Sequence, residues 1–499
     1  MNFWQNIPLF TIILSLLCAV ISSVIPAKAA RRLYSISGPV TIAATGVLFG
    51  YVWNRHEVFT YTMGHFPAPW GNELSIGPLE ALLALAFCVI LYLSVFGGLP
   101  RLHRDVIETK RNLYFVLVQL VQVSLLALLY TNDVFTAYVF VEISTLASCG
   151  LLMIRQIGRT TAAATRYMIF SLLGSGLFLI GIILLYSMTG HLLIPNIKQV
   201  IPALAESSRY QGPFMVSLAL ITLGLAIKSG CFPFHFWMPD TYGCATPSAS
   251  AILSGLISKG YILVLIKFIY RVVGLDIYMK MGISGALFIF GIAGMIAGSL
   301  SAVRENDLNR MIAFSSAAQI GYIYMGIGLG TIAGMEAAVF HILTHAFTKP
   351  LLFLSAARLE DVSGGSYRFS ALSGAGHRNR MAAIAFTIGS LSMIGIPGLM
   401  GFISKLLFAL SSMTSPNKIV LTLAALVIST LLNTLYFFRT VIRIYTPAPN
   451  SPYRDEAKHI KDQWRFILTG AMFIGINLLF GLHSQPITDM LSQGLSLFR

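Results

Sequence analysis

Apolar runs long enough to cross a bilayer recur from one end of the chain to the other, and the polar residues between them come in short joints. A bilayer core of roughly 30 Å takes about 20 apolar residues per helix. On that ruler the pattern predicts about fourteen spans, starting near Ile7, Ile36, Pro78, Leu113, Val134, Tyr167, Phe214, Pro247, Met281, Leu308, Ile332, Ala382, Ile419 and Phe466. The expected fold class is an all-α polytopic membrane protein. No basic stretch precedes the first run, and Lys28, Arg31 and Arg32 follow it, so it reads as a retained span and not as a signal peptide.

Two runs are interrupted in the same way. The seventh is broken just after Lys228 by Ser229, Gly230 and Pro233, and the twelfth by GIPG at residues 395–398, with Lys405 shortly beyond. Proline lacks a donor and clashes with the preceding turn, so neither stretch continues as a regular helix. Backbone freed at that depth is tolerated only where protein packs it or it lines a wet cavity. The two breaks lie five spans apart, which is the spacing expected if spans 4–8 and 9–13 are inverted five-helix repeats with broken helices 7 and 12. The chain then divides into a three-helix segment (1–111), the first repeat (112–272), the second, inverted repeat (273–446), and a cytoplasmic loop with the last helix (447–499).

Composition changes the picture in one respect. The net charge of +15 could suggest a nucleic-acid partner, but 56% of the 499 residues are hydrophobic and only 11% are charged, with no basic domain to bind one. The excess of Lys and Arg is instead the loop bias of a membrane protein. Basic joints (28–32, 101–111, 155–166, 304–310, 358–380 and 439–465) alternate with joints holding little beyond Arg55, Lys198, Arg209, Arg271, Lys280 and Lys418. The bias is roughly three to one, which puts the basic joints in the cytoplasm and both termini outside. The five cysteines have neither CxxC nor metal-ligand spacing, so no disulfide, metal site or cofactor is expected.

Chemistry is carried by charged groups at depth, where a lone charge costs several kcal/mol unless it is paired or wet. Glu142 lies about 12 Å into the fifth span at 1.5 Å per residue. It is either a carboxylate capped by a neighbouring hydroxyl or one half of a pair, and Lys228 is the partner expected. Lys259, near the middle of the eighth span, is either a proton-exchanging amine or an ammonium fixed to a broken-helix carbonyl. His341, His345 and Lys349 follow one another at i, i+4 in HILTHAFTK and share a helical face. Ile342 stands where a zinc-protease HExxH helix needs its glutamate, so a proton relay or a satisfied buried histidine are the readings left. Lys405 mirrors Lys228 in the repeat argument unless it snorkels to the membrane surface. Lys267 reads as an anchor or secondary member, His235 and Asp240 as possible walls of an access route, and Arg304, Glu305, Asp307 and Arg310 as a solvated ion cluster. GIGLGT at 326–331 and GSGLFLIG at 174–181 are helix-packing patterns without the strand that a nucleotide site needs.

PFHFWMPDTYGCATPSASAILSGLISK, ENDLNRMIAFSSAAQIGY, HILTHAFTKPLLFL, GIPGLMGFISK and FVEIS around Glu142 resemble, in order and spacing, one family. It is the family of proton-translocating antiporter-like subunits shared by respiratory complex I (its N, M and L subunits), Mrp-type cation/proton antiporters and membrane-bound hydrogenases. The likeness runs from Leu113 to Tyr445. The size, Lys405 and the segment GHFPAPWGNEL look most like the D subunit of Mrp antiporters. Glu80, where many relatives have Asp, and Gly260 after Lys259 depart from the pattern. A long lateral helix after the last span is not expected.

The resemblance implies a polar axis along mid-membrane: Glu142 and Lys228 as the glutamate and lysine pair, Lys259 as the central lysine, His341 as the histidine of the eleventh helix, and Lys405 as the terminal lysine. With His345 these form the expected proton relay. It implies a subunit without its own redox centre, hence not itself an enzyme, in a bacterial or archaeal cell membrane. Its expected partners are other membrane subunits, H+ and Na+, and the lipid bilayer. The alternatives are a homologous pumping subunit of a redox-driven complex and, further off, a stand-alone secondary solute carrier.

Overall fold

The computed structural model describes residues 3–66, 71–447 and 463–498. Thirteen helices in it are long and apolar enough to cross a membrane, and the shorter apolar pair Arg380–Ile394 and Met400–Ser412 forms one more, interrupted, span. The pair falls twelfth in order, so the number expected from hydropathy is met. In hydrocarbon every backbone N–H needs a partner within its own segment, which is why these runs become helices.

Both interruptions are present. The helix Gln211–Ser229 stops at Gly230, whose φ of 78° puts it in the left-handed region, and Arg380–Ile394 stops at Gly395 with φ 94°. Such glycines end a helix by turning its last carbonyls toward new donors. The chain resumes as Met238–Cys244 in the seventh span and as Met400–Ser412 in the twelfth. The eighth span, Pro247–Val273, is continuous but widens into π-helical turns at Leu253–Ile257 and Phe268–Val273. A π turn leaves a main-chain carbonyl off the regular ladder, which matters below.

The layering decides where charge can reside. The most apolar stretches of the eighth span and of the eleventh, Ile332–Asp361, are 100% buried, whereas those of the second and thirteenth are 33% buried. Small residues let the inner spans approach closely. A Cβ on Gly298 of the ninth span would lie 2.6 Å from the backbone N of Ala318 in the tenth, so only glycine fits that crossing.

Several expectations need correction. The second span begins at Ala27 and not near Ile36, so Lys28, Arg31 and Arg32 ride on its first turns. The sixth begins at Gly158, which takes Arg159 and Arg166 onto the helix, and the third runs on to Asp105 with Arg101 and Arg104 aboard. Long cationic side chains can reach water or a carboxylate from a helix end, so polarity alone marks that end too early. Arg271 is no loop charge: it is buried in the second π turn and bonds Glu80 at 2.6 Å. The all-α class holds apart from one antiparallel hairpin, Phe59–Thr62 with Glu73–Ile76, after the second span. Helices Ile194–Glu206 and Gln485–Leu497 were not foreseen. Residues 67–70 of the GHFPAPWGNEL segment, and most of the loop opening the 447–499 segment, lie outside the described residues.

Candidate functional site

Glu142 sits midway along the fifth span, Val134–Met153, and Lys228 at the end of the first half of the seventh. Lys228 Nζ donates to Glu142 Oε1 at 2.9 Å and to Thr145 Oγ1 at 2.7 Å. Ser175 of the sixth span donates to the same carboxylate oxygen. Both sequence alternatives for Glu142 are therefore met at once: a hydroxyl and a lysine share it. The lysine side chain is 0% exposed and the carboxylate 23%, so the pair is closed on the lysine side and open toward the flank of the molecule. Thr145 Oγ1 also lies 3.2 Å from the hydroxyl of Tyr261, two residues beyond Lys259 on the eighth span.

Lys259 is fully buried midway along its span. Its Nζ donates to the backbone O of Ser254, within the first π turn, and to Ser258 Oγ at 3.2 Å. The carbonyl expected from a broken helix is supplied by a π turn in an unbroken one. That turn faces the eleventh span: a Cβ on Gly255 would lie 3.1 Å from Pro350 and 3.4 Å from the backbone O of Ala346. These two residues directly follow Lys349 and His345 in the chain.

Lys349 belongs to the site although sequence reading left it out of the relay. Fully buried, it donates to Ser315 Oγ and, at 2.9 Å, to the backbone O of Ile312, both in the tenth span. Ser316 next door lies 2.9 Å from Ser254 across their hydroxyls. A hydroxyl and carbonyl ladder thus links Lys259 to Lys349. The signal was in plain view, since Lys349 continues the i, i+4 row of the two histidines. The hydroxyls carried none, because serine and threonine are common throughout the spans.

His341 Nδ1 lies 2.6 Å from Ser404 Oγ of the twelfth span, and its ring stacks on Tyr322 at 5.4 Å. Its centroid is 6.3 Å from that of His345. Neither ring nitrogen of His345 has a partner within the described protein, nor does His341 Nε2, and Gln319 of the tenth span is alike on both side-chain atoms. Buried polar atoms are rarely left unpaired, and ordered water is the usual remedy where a site is polar.

Lys405 follows Ser404 and donates to the backbone O of Ile394 at 2.6 Å and to Thr430 Oγ1 at 2.9 Å. It is not the mirror of Lys228. Lys228 precedes its break and holds a carboxylate, whereas Lys405 follows its break and caps the carbonyl end of the half-helix, where a cation opposes the helix dipole. Lys267 is no surface anchor either: 6% exposed, it donates to the carbonyls of Leu129 and Thr131 at 2.6 and 2.9 Å, at the end of the fourth span.

At the basic end, Asp240 is held by Arg166 and, at 2.6 Å, by Arg310, which also bonds Glu305 at 3.1 Å. The solvated cluster, with Arg166 64% and Arg310 38% exposed, also bridges the sixth span to the tenth. It walls a cleft of about 320 Å³ that also takes in Arg159, Cys244 and Asp307. Asp307 caps the tenth span through the N–H of Arg310, and burial raises its carboxyl above the ordinary range. His235, by contrast, is buried between Phe232 and Phe236 and does not line this cleft.

Fold and site together define a polytopic membrane component of the antiporter-like kind. Residues 131–432 match the family described as NADH:quinone oxidoreductase/Mrp antiporter, TM, and the chain belongs to that family. It is 30% identical over 491 residues to the N subunit of the NADH-quinone oxidoreductase of Desulforudis audaxviator (strain MP104C), covering 94% of this chain and 95% of that one. With the D subunit of the Na(+)/H(+) antiporter of Bacillus subtilis (strain 168) the identity is 25%, over 93% of this chain and 90% of that one. The fold is shared with a chain of the membrane-bound sulfane sulfur reductase, an archaeal respiratory membrane complex, at a TM-score of 0.87 and 22% identity. That likeness covers 100% of this chain and 98% of the other. A chain of the Mrp complex from Dietzia sp. DQ12-45-1b gives 0.84 and 23%, over 99% and 97%. The resemblance read from the motifs is borne out. Oxidoreductase and antiporter subunits stand together among the relatives, so a redox-linked assembly fits as well as an Mrp antiporter.

Proposed function

We propose that this chain moves protons along the row Glu142, Lys228, Lys259, Lys349, His345, His341 and Lys405, as one membrane subunit of a larger ion-translocating complex. The observation that carries the reading is the set of basic side chains inside the two spans with fully buried apolar stretches. Lys259, His345 and Lys349 are each 0% exposed, and none has a carboxylate partner among the described residues. A fold that needed only stability would replace such groups by apolar ones at a gain. Groups that exchange a proton and are bridged by hydroxyls and water give them a use.

In this reading the Glu142 and Lys228 pair is the gate. Its closure stabilises the charged lysine, and its opening hands the charge onward through Thr145 and Tyr261 toward Lys259. The two repeats, 112–272 and 273–446, hold the two halves of the row, and the basic joints face the cytoplasm of a bacterial or archaeal cell. Na+ is the coupled ion if the partners are of the Mrp kind. Electron transfer in a partner arm drives the flow if they are of the respiratory kind. In this reading any redox centre belongs to a partner subunit.

The test is proton flux in vesicles holding the assembled complex. Lys259→Ala and Glu142→Ala should each cut the coupled flux by about two orders of magnitude, the effect of removing one obligatory proton carrier. Wild-type flux in Lys259→Ala, with the complex intact, would end the relay reading. Activity from the purified chain alone would favour the stand-alone carrier instead.

A further inference from the structure

The thirteenth span, Ile419–Tyr445, shows one face to its surroundings along its length, with Leu431, Leu435 and Ile442 each about 60% exposed. Near its basic end this face forms the wall of a groove of about 700 Å³. Leu435, Phe438 and Ile442 line the groove's apolar part, and Arg439, Arg443 and Asn306 its polar part. Arg439 and Arg443 are one turn apart and point the same way. Arg439 lies about 30 Å along the helix from Ile419, at 1.5 Å per residue, which is one hydrocarbon thickness. Leu435 and Phe438 therefore sit on the acyl-chain side of Arg439, and the guanidinium groups, with Ile442 between them, at headgroup level.

Among the described residues no carboxylate pairs with the arginines of the groove. Seven other arginines, from Arg101 to Arg358, have a carboxylate within 4.0 Å. Arg439 instead donates to the carbonyls of Val303 and Glu305 at 2.9 and 2.6 Å and lies 4.9 Å over the ring of Phe369, and Arg443 donates to the carbonyl of Phe369 at 3.2 Å. No ion pair involves either among the described residues. Carbonyls hold the guanidinium planes in place without neutralising them, which leaves outward N–H groups and both charges for an anion. A planar guanidinium matches a phosphodiester well.

We propose that this groove binds one anionic phospholipid of the basic-side leaflet, its phosphate between Arg439 and Arg443 and an acyl chain along Leu435 and Phe438. Because Arg439 also grips the carbonyl of Glu305, whose side chain bonds Arg310, the bound headgroup would brace the joint that frames the Asp240 cleft. The proposal does not depend on the proton relay.

The experiment uses the intact complex, exchanged into nanodiscs of phosphatidylglycerol and phosphatidylcholine in equal parts, with retained lipid counted by native mass spectrometry. The wild type should hold one phosphatidylglycerol with a preference of about thirtyfold, the effect of two surface arginines. Arg443→Gln should lower the preference to about fivefold, while Arg443→Lys keeps most of it. Arg55→Gln, at the other end of the molecule, should leave it unchanged. Arg443 carries no buried ion pair, so its variants should keep the wild-type melting temperature, and that measurement accompanies the counting. Equal retention of the two lipids by the wild type, or an undiminished preference in Arg443→Gln, overturns the proposal. So does displacement of the lipid by millimolar inorganic phosphate. Lipid retained only after residues 450–460 are deleted would assign the groove to that segment instead. Lipid held by the isolated chain but not by the complex would assign the face to a neighbouring subunit.

Discussion

In the proposed relay, Lys228 is the side chain on which the row turns. It is wholly buried, so its charge is tolerable only while Glu142 and Thr145 hold it. Glu142→Gln keeps the shape and removes the counter-charge; flux should fall at least tenfold, because the gate loses its electrostatic handle. Lys228→Met leaves a carboxylate that is still 23% exposed. Its cost to stability should therefore be modest, about 1–2 kcal/mol, well short of a fully buried orphan charge. A thermal unfolding series in detergent checks that figure, and vesicle flux checks the first. His345 is the sharpest case. With no partner on either nitrogen among the described residues, it calls for solvent, so His345→Leu should abolish flux yet raise the melting temperature. A lowered melting temperature with flux intact would mark it as a packing residue.

The broken spans act as units. In the twelfth, Gly395 turns the chain at φ 94°, and a Cβ there would lie 2.9 Å from Cδ of Lys405, the side chain capping the half-helix. Gly395→Ala therefore combines left-handed strain with displacement of the lysine, and should cost about 1–3 kcal/mol together with most of the flux. Gly212→Ala serves as the control, since a Cβ there meets nothing within 4 Å. If the two variants melt and transport alike, the half-helix is not held in the way described. The eighth span offers the contrast of a helix that stays whole and frees its carbonyls through π turns. Proline patterning revealed the breaks; nothing in residues 253–257 announces the π turn, whose Gly255 packs closely against the eleventh span.

Across the whole molecule, ion networks tie the basic end together. Arg101, 6% exposed, bonds Glu360 and the carbonyl of Ala357, and Arg104 adds bonds to Glu360 and Asp361. This clamps the third span to the end of the eleventh, the helix that carries the histidines. Arg101→Ala should cost about 1.5–3 kcal/mol, since Glu360 loses its buried charge-assisted bond but keeps Arg104, and equilibrium unfolding measures it. The same end tests orientation. Cys244, half-buried, lines the basic-side cleft, whereas Cys18, Cys88, Cys149 and Cys231 are buried. A membrane-impermeant thiol reagent should thus label Cys244 in inside-out vesicles and spare it in right-side-out ones. The reverse pattern would invert the proposed topology.

Hydropathy was enough for the number of spans, the Gly and Pro pattern for the places of both breaks, and the two together for which spans carry Glu142, Lys228, Lys259 and Lys405. The bilayer imposes those features on any chain through length, backbone satisfaction and the cost of charge, all of which are local. Partnership is not local. That Lys228 would pair with Glu142 was expected from the need of a charge at depth for a counter-charge and from the family resemblance. That Lys349 would reach Ser315, Lys267 the end of the fourth span, and Arg271 the Glu80 carboxylate followed only from how the spans pack. Each of these contacts joins residues at least 34 positions apart. A hydroxyl or carbonyl at such a distance leaves no mark on the periodicity of the helix that finds it.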